Sequence, residues 1–569
     1  MPVYNVPKVY TSEIDLTTTV SIADGSTYAA FCGDFAWGPC DLPTLITTEN
    51  DLVDIFGKPN DDTYVSFFSA ANYLSYSSSL RIVRGVDDSA RNAVSGSTPV
   101  LVKNSRHYVD EMLDNLTGSG SFIAKYPGEI GNSITVAVCD SEVVLSSNVH
   151  STANNSLGTW NSYFITPPGT SEHASSMGGS NDEMHILVFD EDGLFSGVKG
   201  TLLEKYEYVS KAKDAKINGV TNYFKEIINN TSSYVRCGDE YPLGANSSVT
   251  VTTDFTSVGN TVFQLSGGVE VDGSDDSIYV NGYELFADKK NIDVSHFITA
   301  DHSATVVNGV ITIAETRGDS VVFLSPQFSD VQPGTTQSDI TDNCITYKTT
   351  TVGRTSSYMF MDNNWAYQYD KYNDLYRWIP CNSHIAGISS RTDLTNYEWY
   401  SPAGYTRGLL NRVERLAWNP KEQYIGELYG NSINSIVLDE TNGIVLIGDK
   451  TGLSRSSAFD RIGVRKLFNV LKKQISAYLK YILFEINDEF TRDQLTSMLN
   501  AYLTQVKGLR GIYDFQVVCD TTNNTGTVID SNTLICDIYI KPSRSINYIQ
   551  LNMVAIGTSV DFNEIIGRS

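Results

Sequence analysis

Apolar residues change their spacing along the chain, and the changes divide it into segments. Over Tyr64–Tyr76, Val65, Phe68, Ala71 and Tyr73 recur at helical spacing, and the apolar run Leu80–Val83 that follows reads as a buried strand. Ala29–Phe31 and Thr44–Thr47 read as further short strands. Ser133–Cys139 and Met184–Phe189 are β-rich runs on either side of a polar stretch, 151–181, full of Ser, Asn, Thr and Gly, which predicts a surface loop. Leu203, Tyr206 and Val209, then Tyr223 and Ile227, predict helix over 200–235. From 245 to 355 the pattern predicts strands and turns: VTVTT (249–253), SIYVNGYELF (277–286) and VVNGVITIAE (306–315). Asn281-Gly282 and Asn308-Gly309 mark hairpins there, because both turn residues must accept a positive φ.

The last third is more regular. Gly443–Gly448 reads as a buried strand. From Phe459 to Phe484, Ile462, Leu467, Leu471, Ile475, Tyr478, Leu479 and Ile482 form one helical stripe. Thr491 with Gln494 reads as a capping box for a second helix carrying Leu495, Met498, Leu499, Tyr502 and Val506 and closed by Gly508. Strands follow at Phe515–Cys519, Leu534–Ile540 and Tyr548–Ala555. The two ends of the chain differ from the rest. Pro2 and Pro7 oppose helix, so residues 1–20, with Val9, Tyr10, Ile14 and Leu16 among polar neighbours, read as an extended arm. Ile549, Leu551 and Met553 alternate like a strand at the other end.

Composition narrows the function. In 569 residues, 41 Lys and Arg face 66 Asp and Glu, a net charge of −25 that repels nucleic acid and anionic membranes. No apolar run is long enough to span a bilayer, and the first residues show no cationic stretch leading an apolar one, which predicts synthesis in a cytoplasm without a leader. Eight cysteines are too sparse for a disulfide scaffold, and neither they nor the seven histidines have zinc-ligand spacing.

Three candidate motifs fail on chemistry. Gly443–Thr451 approaches a phosphate-binding loop, but Asp449 precedes Lys450 and the residues between the glycines are bulky and apolar, which suits a strand rather than exposed amides. Gly557-Thr558-Ser559 has no His or Asp partner motif for a nucleophile. The acidic turns at 190–193 and 272–276 lack calcium-loop spacing. One charge pattern stands out. Between Asp449 and Glu485, eight cations face three acids inside an acidic chain. Arg461, Arg465, Lys466, Lys472, Lys473 and Lys480 flank the apolar stripe, as a solvated helix face or a partner-docking face would both require.

Longer blocks carry a resemblance. AAFCGDFAWGPCDLPTLITTENDLVDIFGKP (29–59), AKYPGEIGNSI (124–134), WAYQYDKYNDLYRWIPCNSHIAGISSRTD (365–393) and SPAGYTRG (401–408) resemble the contractile tail sheath proteins of myoviruses, especially T-even-like phages. So do FDRIGVRKLFNVLK (459–472), LFEINDEFTRDQL (483–495), DFQVVCDTTNNT (514–525) and IKPSRSINYI (540–549), in order and spacing. The likeness weakens over 145–180 and 240–355, and Gly463 stands where the family usually has Asn.

The resemblance implies an α/β and α+β multidomain fold with no catalytic residues, metal or cofactor. Its expected parts are an N-terminal arm (1–20), the start of a subtilisin-like α/β middle domain (21–95) and a peripheral β-rich outer inserted domain (96–190). The middle domain then continues over 191–440 with a β-rich insert near 245–355, followed by an inner α/β C-terminal domain (441–544) and a terminal strand (545–569). It implies a virion subunit, assembled in the host cytoplasm, that forms hexameric rings in a helical sheath around a tail tube protein and meets baseplate and tail terminator proteins. Direct nucleic-acid contact and membrane insertion are not implied. Contraction from a metastable extended state drives the tube through the host envelope. Neighbours exchange terminal strands, with Val9, Tyr10, Ile14, Leu16, Ile549, Leu551 and Met553 as candidates, and the cations of the basic helix are candidates to face the tube. A sheath from a non-phage injection device and a hydrolase on a subtilisin-like fold are the alternatives.

Overall fold

The computed structural model describes residues 27–112, 115–141, 145–149, 151–152, 155–239, 250–257, 259–270, 275–548 and 550–551. The expected arm with Val9, Tyr10, Ile14 and Leu16, and the terminal residues Ile549 and Met553, lie outside the described residues. The chain forms two compact units that divide between Tyr481 and Ile482, not near residue 440.

The larger unit is built on a six-stranded sheet in the order Met359–Met361, Val321–Leu324, His296–Ile298, Ala29–Gly33, Leu80–Arg84, Thr44–Ile46. The first five strands are parallel and Thr44–Ile46 is antiparallel. Strands this uniformly apolar need cover on both faces. Phe31, Ile82, Ile298 and Phe323 point to one side, against the helices Tyr64–Leu74 and Asn382–Thr395. Cys32, Val83, Phe297 and Val322 point to the other, against Asp276–Glu284 and Ala304–Arg317.

Those last two helices overturn the strand-and-turn reading of 245–355. Tyr279, Tyr283 and Phe286 share one face, as do Val306, Val307, Val310, Ile311 and Ala314, a helical period that the Asn-Gly pairs obscured. Asp275 and Ser303 cap the two helices through Ser277 N and Val306 N. Gly282 serves close packing, since a Cβ there would sit 2.3 Å from Cys32 Sγ on the central strand. Residues 250–253 form a turn rather than a strand. The supposed insert thus supplies helices and strands of the main sheet.

An antiparallel sheet of four strands, Asn260–Gln264, Ile134–Cys139, Glu183–Asp190 and Thr201–Ser210, forms the β-rich part. It draws strands from both sides of the boundary expected at residue 190. Thr201–Ser210 was expected to be helical, yet it pairs along Glu183–Asp190 with two register shifts. The shifts bring Leu203, Tyr206 and Val209 to one face of the strand, so a bulged strand imitates a helical spacing. Phe224–Thr231 is helical as expected. The polar stretch 151–181 does not lie wholly on the surface: Leu157, Trp160 and Phe164 enter the core beneath Leu187 and Phe189.

Replacing Gly282 by Ala is expected to lower stability by about 1–3 kcal/mol, because the added methyl overpacks a buried contact. Denaturant unfolding checks this, and Cys32→Ala in the same chain is expected to recover part of the loss.

Candidate functional site: the basic helix and the open sheet

The basic stripe lies on the helix Ile462–Leu479 of the larger unit. Its first half is enclosed, with Ile462, Val464, Arg465, Lys466, Leu467, Asn469 and Leu471 all buried. Gly463 permits a close start, since a Cβ would meet the Trp399 carbonyl oxygen at 2.6 Å. An Asn at this place would need that loop to move.

The structure separates the six cations. Lys466 is 4% exposed, and its Nζ donates to Ser389 Oγ at 2.8 Å and to Asp393 Oδ1. Arg465 is 5% exposed, with its guanidinium 4.4 Å from the ring centroids of both Tyr358 and Phe459 and Nη1 donating to Ser357 Oγ. These two point into the subunit, so the expectation that they face a partner is corrected. Their polar ends find aromatic faces and a carboxylate inside, at positions where charge alone suggested a surface. Arg461 is partly buried and pairs with Asp449 and Asp460. Lys473 is half-exposed and pairs with Asp293. Lys472 reaches the Tyr358 hydroxyl at 3.4 Å and is exposed, as is Lys480. Neither Lys472 nor Lys480 has an acidic partner among the described residues.

Around Lys466 the fold brings together a Ser, a His and an Asp that sequence reasoning missed, since they come from distant segments. His296 Nε2 lies 3.3 Å from Ser389 Oγ and 3.6 Å from Asp393 Oδ2. A nucleophilic triad needs the carboxylate on one imidazole nitrogen and the hydroxyl on the other. Here both meet Nε2, Nδ1 has no hydrogen-bond partner among the described residues, and all three side chains are buried. Burial and the nearby Lys466 hold the imidazole well below its ordinary pKa, hence neutral. Burial pushes the Asp393 carboxyl up to about 7, against the opposing pull of Lys466. The cluster is a buried clamp and not a hydrolytic centre. The crevice between Ala29–Gly33 and His296–Ile298, where strand order reverses and open α/β sheets commonly bind ligands, is occupied by protein. Tyr279 donates to Asp34, and His302 packs between Phe31 and Tyr279.

The smaller unit has a different character. The helix Glu489–Gly508 is capped by Asp488, which accepts from Thr491 N, one turn before the expected capping box. Leu495, Leu499, Tyr502, Leu503 and Val506 form its buried face. Beside it lies a sheet of only two strands, Ile512–Val518 and Asp537–Pro542, antiparallel and unpaired on their outer edges among the described residues. Large apolar side chains stand in solvent, among them Phe484, Ile486, Phe490, Tyr513 and Tyr539. Phe484 is fully exposed and holds a left-handed backbone, φ 73°. Tyr548 and Leu551 are also exposed.

Residues 454–556 match the family model of the phage tail sheath C-terminal domain. The tail sheath protein of Salmonella phage ViI is 31% identical, with 98% of this chain and 97% of the relative aligned. The tail sheath protein of Enterobacteria phage T4 is 32% identical over 99% of both. The chain belongs to the phage tail sheath protein family. Its role is that of a structural subunit of the contractile tail sheath, a virion component. The sheath tail protein of Desulfitobacterium hafniense shares the fold across 95% of this chain and 100% of its own, at a TM-score of 0.52 and 11% identity. Among the described residues no helix of this sheath subunit is long and apolar enough to cross a membrane.

Lys466→Met is expected to destabilise the subunit by about 3–5 kcal/mol, because it leaves Asp393 buried without its cation. Removing the cation raises the Asp393 pKa further. A carboxyl whose folded pKa exceeds its unfolded one loses stability as pH rises between the two. The deficit of Lys466→Met is therefore expected to shrink as pH falls from about 9 to about 7, by up to about 1.4 kcal/mol per pH unit, and to stay level below that, where Asp393 is protonated in both folded proteins. Urea unfolding of both proteins across that range measures it.

Proposed function

We propose that this subunit polymerises as stacked hexameric rings around a tail tube, holds an extended metastable state, and contracts to drive the tube through the host envelope. The observation that carries the reading is the two-stranded sheet of the smaller unit. A pair of strands with open edges is marginal in water, and free edges invite another strand. Terminal segments from neighbouring subunits, carrying Val9, Tyr10, Ile14 and Leu16 at one end and Ile549, Leu551 and Met553 at the other, are the strands that complete it. Backbone hydrogen bonds then fix the joins while rings change spacing, and no nucleotide is consumed. Baseplate and tail terminator proteins bound the polymer at its two ends. The larger unit, with its parallel sheet covered by helices, is the subtilisin-like α/β body that this linkage carries. Assembly takes place in the host cytoplasm.

The tube-facing part of the basic helix is narrower than its sequence suggests. Lys472 and Lys480 are its exposed cations without an acidic partner among the described residues, with Arg461 and Lys473 partly answered by acids in the same chain. Exposed ion pairs contribute only about 0–1 kcal/mol each, which lets a tube contact hold register and then release.

Deleting residues 1–20 or 545–569 is expected to leave folded, soluble subunits and to abolish sheath formation. Analytical ultracentrifugation with electron microscopy reads both, and normal sheaths from either deletion contradict strand exchange. Lys472→Glu with Lys480→Glu is expected to leave the melting temperature unchanged and to yield contracted, empty sheaths in place of extended tails. Normal extended tails on tubes would make these cations a solvated face.

A further inference from the structure

Seven of the eight cysteines are buried, and the eighth, Cys536, is partly exposed. Its placement is set by the smaller unit's sheet. Val518 and Asp537 are register partners in the antiparallel pair. Cys519 follows the one and Cys536 precedes the other, so the register carries the two thiols to facing positions where the strands diverge. Each thiol shifts the ionisation of the other, Cys536 lowering the Cys519 pKa and Cys519 raising that of Cys536. Two asparagines of the intervening loop hold the backbones on either side. Asn524 Nδ2 donates to the Ile535 carbonyl and Asn524 Oδ1 accepts from Ile535 N, both at 2.8 Å. Asn523 Nδ2 donates to the Val518 carbonyl at 2.8 Å and to Asp537 Oδ2 at 3.1 Å. The same Asn524 amide lies 4.0 Å from Cys519 Sγ.

We propose that Cys519 and Cys536 form an oxidation site at which a low-molecular-weight disulfide closes a bond across the two strands. The difference in exposure orders the steps. The Cys536 thiolate attacks a sulfur of oxidised glutathione, forming a mixed disulfide and releasing one glutathione thiolate. The sheltered Cys519 thiolate then attacks Cys536 Sγ and displaces the second. Two protein thiols are oxidised, one glutathione disulfide is reduced to two thiols, and the two protons lost by the protein are taken up by the departing thiolates. Burial raises both thiol pKa values, Cys536 to about 12, so the reaction is slow at neutral pH and faster in alkaline buffer. The product would tie together the ends of this two-stranded sheet, restricting its unfolded chain.

The test treats the purified full-length subunit with oxidised glutathione in mildly alkaline buffer. Thiol titration under denaturing conditions is expected to fall from eight to six, with peptide mapping linking Cys519 to Cys536 within one chain and reductant restoring eight. Cys519→Ser is expected to stop at a glutathione adduct on Cys536, and Cys536→Ser to give neither adduct nor link at these positions. Because the wild-type reaction needs no variant to fold, it decides by itself. A wild-type chain that stops at the adduct, links between subunits, or keeps all eight thiols overturns the proposal.

Discussion

A lysine ammonium and an aspartate carboxylate, buried together as Lys466 and Asp393, decide how the larger unit uses its basic helix. Taking either charge out of water alone costs several kcal/mol, so the two are tolerated only where each can reach the other and further hydrogen bonds. Ser389 and Thr27 supply those bonds. The pair thereby fixes the rotation of Ile462–Leu479 about its axis. With Lys466 inward, Arg465 falls between Tyr358 and Phe459, Asn469 reaches the Ser320 carbonyl, and Lys472 turns outward. A stripe that looks uniform in sequence becomes a buried clamp at one end and a set of exposed cations at the other.

The smaller unit contrasts with this closure. One helix face and two strands supply its core, while aromatic and aliphatic side chains from Phe484 to Leu551 remain in solvent. A soluble monomer gains nothing from such a surface, but a polymer whose neighbours cover it does. Large core and small open module fit a sheath in which rigid bodies are preserved and their connections carry the change.

Much of the fold was legible. Strands around Ala29, Leu80 and Gly443, and helices at Tyr64–Leu74, Ile462–Leu479 and Glu489–Gly508, follow directly from apolar spacing. The failures have physical causes. Asn281-Gly282 carries a turn signature, but its glycine is there because the helix comes within contact of Cys32 on the sheet. Leu203, Tyr206 and Val209 are three apart because two bulges interrupt a strand. The polar sequence 151–181 hides a buried Trp160 among serines and asparagines. The basic stripe was legible as charge and not as direction. Whether Arg465 or Lys466 faces outward depends on Tyr358, Ser389 and Asp393, all far away in the chain, and no local pattern contains them. The cluster of His296, Ser389 and Asp393 was invisible for the same reason.

The central claim is that the smaller unit's sheet is incomplete in one chain and is completed by neighbours. Amide hydrogen exchange compared between dispersed subunits and assembled sheaths tests it most directly. The account predicts that the outward amides of Ile512–Val518 and Asp537–Pro542 exchange freely in the subunit and become protected on assembly, while the central strands Ala29–Gly33 and Val321–Leu324 do not change. Equal exchange of the two edge strands in both states would contradict it.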